Sequence, residues 1–270
     1  MKKKTKVLIA AAAAALPVLA AAPSKPDYKK KAAFQNRNFA HRGLHTEDKA
    51  VPENSLEAFR LAAEAGYGIE LDVQLSKDGE VVVFHDDTLN RVCGVDSRVD
   101  EKTLQELREM SLCGSEYSVP LFTEVLDVIG GRGPLIVELK TGRRNKELCE
   151  KTYAILREYD GDVCVESFDP FIVGWFRFHA KEMLRGQLAA PIEEYKKMPK
   201  VEGFILSNTL LNFISRPNFI AYKIGDRPAM VRLSEKMGAM NVGWTSHDAS
   251  SEEGRDAVIF EFYKPELSYK

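Results

Sequence analysis

Cysteine is sparse in this chain and poorly placed for chemistry. Cys93, Cys113, Cys149 and Cys164 form no C-x-x-C pair, and none has a histidine beside it at zinc-ligand spacing. The pattern argues against a cysteine-based zinc site. It predicts packed free thiols, since Cys149 and Cys164 fall in stretches that read as buried helix and strand. A net positive charge is also lacking beyond the N-terminus. Residues 1–37 carry nine Lys/Arg against one Asp, or +8, which leaves −10 for the rest of a chain whose total is −2. A mildly acidic body lacks the basic footprint of a nucleic-acid partner. No shift in composition marks a second domain. With 44% apolar and 29% charged residues, 270 residues suffice to build a sizeable core.

The N-terminus has a long apolar run. Met1 to Lys6 is basic, and sixteen apolar residues follow from Val7 to Ala22. This reads as a signal peptide or an uncleaved signal-anchor helix over residues 1–22. Residues 23–38, polar and non-periodic, read as a lysine-rich tether, and 39–270 as the folded body. The basic residues would be drawn to anionic headgroups, so a membrane surface is the expected partner of this end. The expected location is the cell envelope, membrane-anchored or secreted. An alanine-rich helix of a soluble protein is the other reading.

From Phe39 the chain alternates short apolar runs with amphipathic stretches. Strands are predicted at 38–41, 68–74, 134–140, 163–168, 184–188, 219–223, 241–245 and 257–261, with a hairpin extension at 80–85 after the turn Ser76-Lys-Asp-Gly79. Asn54 to Ala65 has helical spacing, with Asn54 the expected N-cap and Gly66 closing the helix. Eight strand–helix repeats over about 230 residues suit a single (β/α)₈ TIM barrel, with a doubly wound open sheet as the alternative.

In a parallel barrel the chemistry sits at the C-terminal ends of the strands. His41-Arg42, Glu70 with Asp72, His85-Asp86, and Glu138 with Lys140 all fall there. Glu70 and Asp72, two apart, share one face of a strand, and two inward carboxylates repel unless a cation such as Mg²⁺ or Ca²⁺ neutralises them. Glu138 and Lys140 repeat the spacing on another strand. The set holds three hard oxygen donors, two imidazoles, a guanidinium and an ammonium, which suits attack on a phosphodiester. Each pair taken alone is commonplace; their coincidence on successive strand ends is not.

The text Ala40-His-Arg-Gly43, Pro52-Glu-Asn-Ser55, Ile69-Glu-Leu-Asp-Val73, Asp78-Gly79, Val83-Phe-His-Asp86 and Val137-Glu-Leu-Lys140 resembles the glycerophosphodiester phosphodiesterase family. The similarity runs on through Glu166-Ser-Phe168 and Trp244-Thr245, covering about residues 39–265. Ser55 stands where threonine is more usual. The last strand ends Ile259-Phe-Glu261 where many relatives have Thr-Asp, so that rim is expected to be shaped differently.

The resemblance implies one divalent cation, Ca²⁺ or Mg²⁺, on Glu70, Asp72 and Glu138. It makes His41 and His85 the general acid/base pair and assigns Arg42 and Lys140 to the substrate phosphate. Trp244 lines the substrate groove or packs beneath it, and Glu53 is a second-sphere group, a metal contact or a helix-terminal charge. The implied substrate is a glycerophosphodiester, cleaved to sn-glycerol 3-phosphate and an alcohol. Alternatives are a lysophospholipid or a glycerophosphate envelope polymer, a non-catalytic headgroup-binding protein, and a phospholipase D-like toxin. The apolar segment Val201–Arg216 reads as a buried helix or a lipid-facing lip. His45 is expected to be solvated.

Overall fold

Runs of Val, Ile, Leu and Phe flanked by turn residues become the strands of a computed structural model that describes residues 17–24 and 28–269. The strands are β1 (Arg37–Ala40), β2 (Gly68–Leu75), β3 (Val81–Val83), β4 (Leu135–Leu139), β5 (Val163–Ser167), β6 (Leu184–Ala189), β7 (Phe219–Lys223), β8 (Met240–Ser246) and β9 (Ala257–Phe260). All except β3 pair in parallel, and β1 pairs with both β9 and β2. The sheet therefore closes into an eight-stranded barrel, as expected from the strand–helix alternation. β3 pairs antiparallel on the outside of β2, with Val73 opposite Val83.

Alternation along each strand builds two layers. Phe39, Ile136, Cys164, Leu184, Phe219, Met240 and Ile259 pack together as one apolar cluster inside the barrel. Their neighbours Ile69, Leu71, Val137, Leu139 and Val165 pack outward against helix residues Phe59, Phe122, Val125 and Leu148. Gly186 makes room within: a Cβ there would lie 2.0 Å from the Phe219 ring. All four cysteines are free, with Cys149 and Cys164 buried.

The principal helices are α1 (Leu56–Ala65), α2 (Phe122–Ile129), α3 (Asn145–Leu156), α4 (Pro170–His179), α5 (Lys200–Ser207), α6 (Asn212–Ser215) and α7 (Ala229–Lys236). The β8–β9 connection has only a 3₁₀ turn, Ala249–Glu252. The excursion from 84 to 121 packs its own small core of Phe84, Leu89, Val92, Leu107 and Leu112, which steadies the loop carrying His85 and Asp86.

Residues 1–16 of the expected leader lie outside the described residues. Part of the expected tether is not a tether. Phe34 is buried and stacks on Phe39, closing the barrel floor, because an aromatic ring exposed there would leave the interior cluster open to water. Lys31 donates to Gly238 O at 2.6 Å, and Ser24 N to Pro217 O at 3.0 Å, both acceptors just ahead of strands. Among the described residues no helix is long and apolar enough to cross a membrane.

Candidate active site

The first strand delivers His41 and Arg42 to the barrel mouth through a tight reversal. Arg42 and Gly43 both have positive φ, and a Cβ on Gly43 would come within 2.8 Å of the Ala58 backbone, so glycine is required there. The reversal points the Arg42 backbone N–H at Glu70 Oε2, 3.0 Å away. Glu70 and Asp72 share the inner face of β2, both almost fully buried, and Glu138 stands in register beside Asp72 on β4. One oxygen from each of these three carboxylates lies within 4.8 Å of the others.

Their electrostatics are uneven. Burial pushes the Glu70 carboxyl well above its ordinary value, reinforced by repulsion from Asp72, Glu166 and Glu138. Glu138 is raised by burial too, against the pull of Lys140, whose Nζ sits 2.9 Å from it. Asp72 goes the other way. Burial is its largest single influence and would raise it, but the charges of His85, Lys140 and Arg42 and the Asn54 hydrogen bond together hold it far below the ordinary range. Its Oδ1 makes no hydrogen bond despite being buried. A cluster of hard oxygen donors with more carboxylates than cations, and with a buried Asp72 Oδ1 whose ion-pair partner Lys140 Nζ stands off at 3.4 Å, fits Mg²⁺ or Ca²⁺.

The two histidines are each held by a carboxylate. His41 Nδ1 lies 2.8 Å from Glu261 Oε2 and its Nε2 is 4.0 Å from Glu70. A carboxylate can only accept, so Nδ1 carries the proton and Nε2 is the free basic nitrogen. Burial lowers the His41 pKa to about 4 although the Glu261 hydrogen bond opposes this, so the ring is neutral at pH 7. His85 Nδ1 is 2.6 Å from Asp86 Oδ1. Arg91 binds Asp86 Oδ2 at 2.6 Å and both oxygens of Glu53 at 2.7 Å, and Glu53 in turn holds Arg42 Nη1 at 2.7 Å. An ion-pair chain thus joins the His85 loop to the Arg42 guanidinium. Glu53 belongs to that chain and not to the carboxylate cluster.

Trp244 stands near the C-terminal, mouth-facing end of β8, half-buried. Its indole N–H donates to Ala221 O at 3.0 Å and its ring meets Phe168 edge-on at 5.7 Å.

Two neighbours, Asn54 and His45, differ from the sequence reading. Asn54 does not cap α1; Ser55 does, accepting from Ala58 N at 3.2 Å. Asn54 adopts a left-handed φ of 55° and donates to Asp72 Oδ2 at 2.9 Å. His45, expected in solvent, has a side chain only 8% exposed, with Nδ1 3.0 Å from His41 O. His247 is exposed, 3.7 Å from Glu261 Oε1. His179 stacks on Trp175 in the last turn of α4. Glu261 and Glu166 were not among the expected site residues. Glu166 is buried on β5 in register with Glu138, and both the inward period of that strand and its Glu-Ser-Phe text could have signalled it.

A closed parallel barrel whose mouth gathers carboxylates, two cations and two carboxylate-held imidazoles defines a hydrolase of phosphate esters. The family model that matches is that of the glycerophosphoryl diester phosphodiesterase family, over residues 41–259, and the chain belongs to that family.

It is 30% identical to the glycerophosphodiester phosphodiesterase of Caldanaerobacter subterraneus subsp. tengcongensis, over 76% of this chain and 84% of that one. A human lysophospholipase D is 28% identical over 51% of this chain and 46% of its own length. Among solved structures, an Oleispira antarctica phosphodiesterase in complex with the product sn-glycerol-3-phosphate superposes with a TM-score of 0.69 at 24% identity, covering 85% of this chain and 94% of that one. The glycerophosphodiester phosphodiesterase of Thermotoga maritima gives 0.62 at 26% identity, over 83% and 93%. The enzyme is a glycerophosphodiester phosphodiesterase.

Proposed function

We propose that this enzyme hydrolyses glycerophosphodiesters to sn-glycerol 3-phosphate and an alcohol with the help of one divalent cation, Ca²⁺ or Mg²⁺, on Glu70, Asp72 and Glu138. The observation that carries this reading is the set of three carboxylate oxygens within 4.8 Å of one another at the barrel mouth. The Oleispira neighbour, described with sn-glycerol-3-phosphate bound, supports the product. When bound, the cation supplies positive charge against the phosphate oxygens.

The chain's own groups do the rest. Arg42 and Lys140 meet the phosphate charge, while Glu53 keeps the Arg42 guanidinium in place. His41, neutral and with Nε2 free, takes a proton from the nucleophile, which is water or the neighbouring glycerol hydroxyl. His85, steered by Asp86, returns a proton to the departing alcohol oxygen. Each such proton transfer contributes about 10²- to 10⁴-fold in rate. Trp244 forms one wall of the groove for the organic part of the substrate. The basic and apolar residues of 1–22 support a place at the cell envelope, anchored or secreted, with the membrane surface as partner.

The test is release of sn-glycerol 3-phosphate from glycerophosphocholine by the purified full chain, with Mg²⁺ or Ca²⁺, with EDTA, and in the His41→Ala variant. Cation-dependent release that disappears in the variant supports the proposal. Folded protein that releases nothing from any soluble glycerophosphodiester sinks it.

A further inference from the structure

A groove of about 470 Å³ opens beside the catalytic mouth, walled by Phe168, Phe171, Met198, Ile205, Leu206 and Leu211. It adjoins the site at two points. Thr141, on its wall, directly follows Lys140, and Phe168 is the ring that meets Trp244. Two of the four polar side chains on the wall are already engaged, while Thr141 and Glu202 stand exposed. Tyr195 Oη accepts from Ala190 N at 3.2 Å, and Asp169 accepts from Phe171 N at 2.8 Å and from Asn145 Nδ2 at 3.1 Å. A peptide or sugar would find few open partners there, whereas a hydrocarbon needs none.

We propose that this groove seats the single fatty-acyl chain of a lysophospholipid substrate while its glycerophosphodiester part occupies the catalytic mouth. The inference rests on the hydrolytic reading above and specifies its substrate class. The outer rim fits a chain drawn from a lipid surface: Val201 and Phe204 on α5 are 70% and 52% exposed, and Phe171 at the start of α4 is 65% exposed. Phe171 lines the groove itself, and Val201 and Phe204 adjoin Glu202 and Ile205 of its wall. The bond broken is that between phosphorus and the head-group oxygen. Water gives its hydroxyl to phosphorus and its other proton to the leaving alcohol, and the acylglycerol phosphate remains.

The test compares kcat/KM of the full chain on glycerophosphocholine and on its butanoyl, hexanoyl and octanoyl esters, all used as dissolved monomers. Each methylene that enters the groove is expected to raise kcat/KM about fourfold. The Met198→Asp and Phe171→Asp variants, both at exposed positions, are expected to flatten the series and keep glycerophosphocholine turnover, which also reports that they fold. A flat series in the wild-type enzyme with normal glycerophosphocholine turnover overturns the inference and leaves the hydrolytic reading intact. A steep series that survives both variants also overturns it. Absence of turnover on every substrate, acylated ones included, overturns both.

Discussion

Glu261 accepts a hydrogen bond from Nδ1 of His41 at 2.8 Å, so the last barrel strand orients an imidazole carried by the first. The contact exists because β9 pairs with β1, and His41 N also donates to Phe260 O at 2.9 Å. One carboxylate fixes the ring's tautomer and leaves Nε2 facing the carboxylate cluster. His45 and His247 approach the same carboxylate at 3.7 Å.

Glu261→Gln removes the acceptor charge and keeps the size. It is expected to lower kcat about 10- to 100-fold with little change in KM, the usual penalty for losing an orienting partner. The Glu261 hydrogen bond raises the His41 pKa against the larger effect of burial, so its loss is expected to move the acid limb of kcat/KM to lower pH. A pH profile of wild type and variant checks this. A limb that stays in place contradicts the role.

Without cation, the contribution of Glu70 and Glu138 to stability is expected to fall as pH rises. His41, whose pKa burial lowers to about 4, contributes in the opposite direction only below its ordinary value of 6.5. Glu70 and Glu138 have folded-state pKa values above the ordinary 4.5. Their neutral forms suit the fold below 4.5, and ionising them in the buried cluster costs stability as pH climbs through the raised values. Mg²⁺ or Ca²⁺ is expected to reverse the loss and to bind more tightly at higher pH, with proton release. Thermal melts from pH 4 to 8 with EDTA or cation measure it. A cation-free Tm that still increases with pH above 6.5, where His41 no longer contributes, argues against the carboxylate cluster as drawn.

Asn54 has two duties: a left-handed backbone and a hydrogen bond to Asp72. Asn54→Ala is expected to lose both, with about 1–2 kcal/mol of backbone strain and about 10- to 100-fold in cation affinity. Asn54→Gly is expected to recover the backbone part only. Denaturation and calorimetric cation titration on both variants separate the two effects. Equal cation affinity in wild type and Asn54→Gly would show that the hydrogen bond does not matter to the cation.

Lys140 neutralises two buried carboxylates, Asp72 at 3.4 Å and Glu138 at 2.9 Å. Lys140→Met is expected to destabilise the cation-free protein by about 3–5 kcal/mol, because unpaired buried charge remains. Added cation is expected to recover part of that. Chemical denaturation with and without cation checks both halves.

The barrel was legible because each strand is a short apolar run between turn residues, and the sum of eight repeats fixes closure better than any one run does. The carboxylate pair Glu70/Asp72 was legible because strands repeat every two residues. Glu261 was read only as a departure at the rim. Its meaning depends on a closure that joins residues 220 apart in the chain, which no local pattern displays. Asn54 was misread because a capping residue and a left-handed residue look alike before a helix, and Ser55 competes for the cap. The tether reading failed over residues 28–36 because lysine-rich sequence masks single buried anchors such as Phe34.

The central claim is that three carboxylates hold one cation on which hydrolysis depends. The most direct measurement is calorimetric titration of Mg²⁺ and of Ca²⁺ into wild type and Asp72→Asn, alongside the cation dependence of sn-glycerol 3-phosphate release. The account predicts one site in the wild type, half-maximal activity near its Kd, and loss of both in the variant. Full activity in EDTA, or unchanged cation binding by Asp72→Asn, would contradict it.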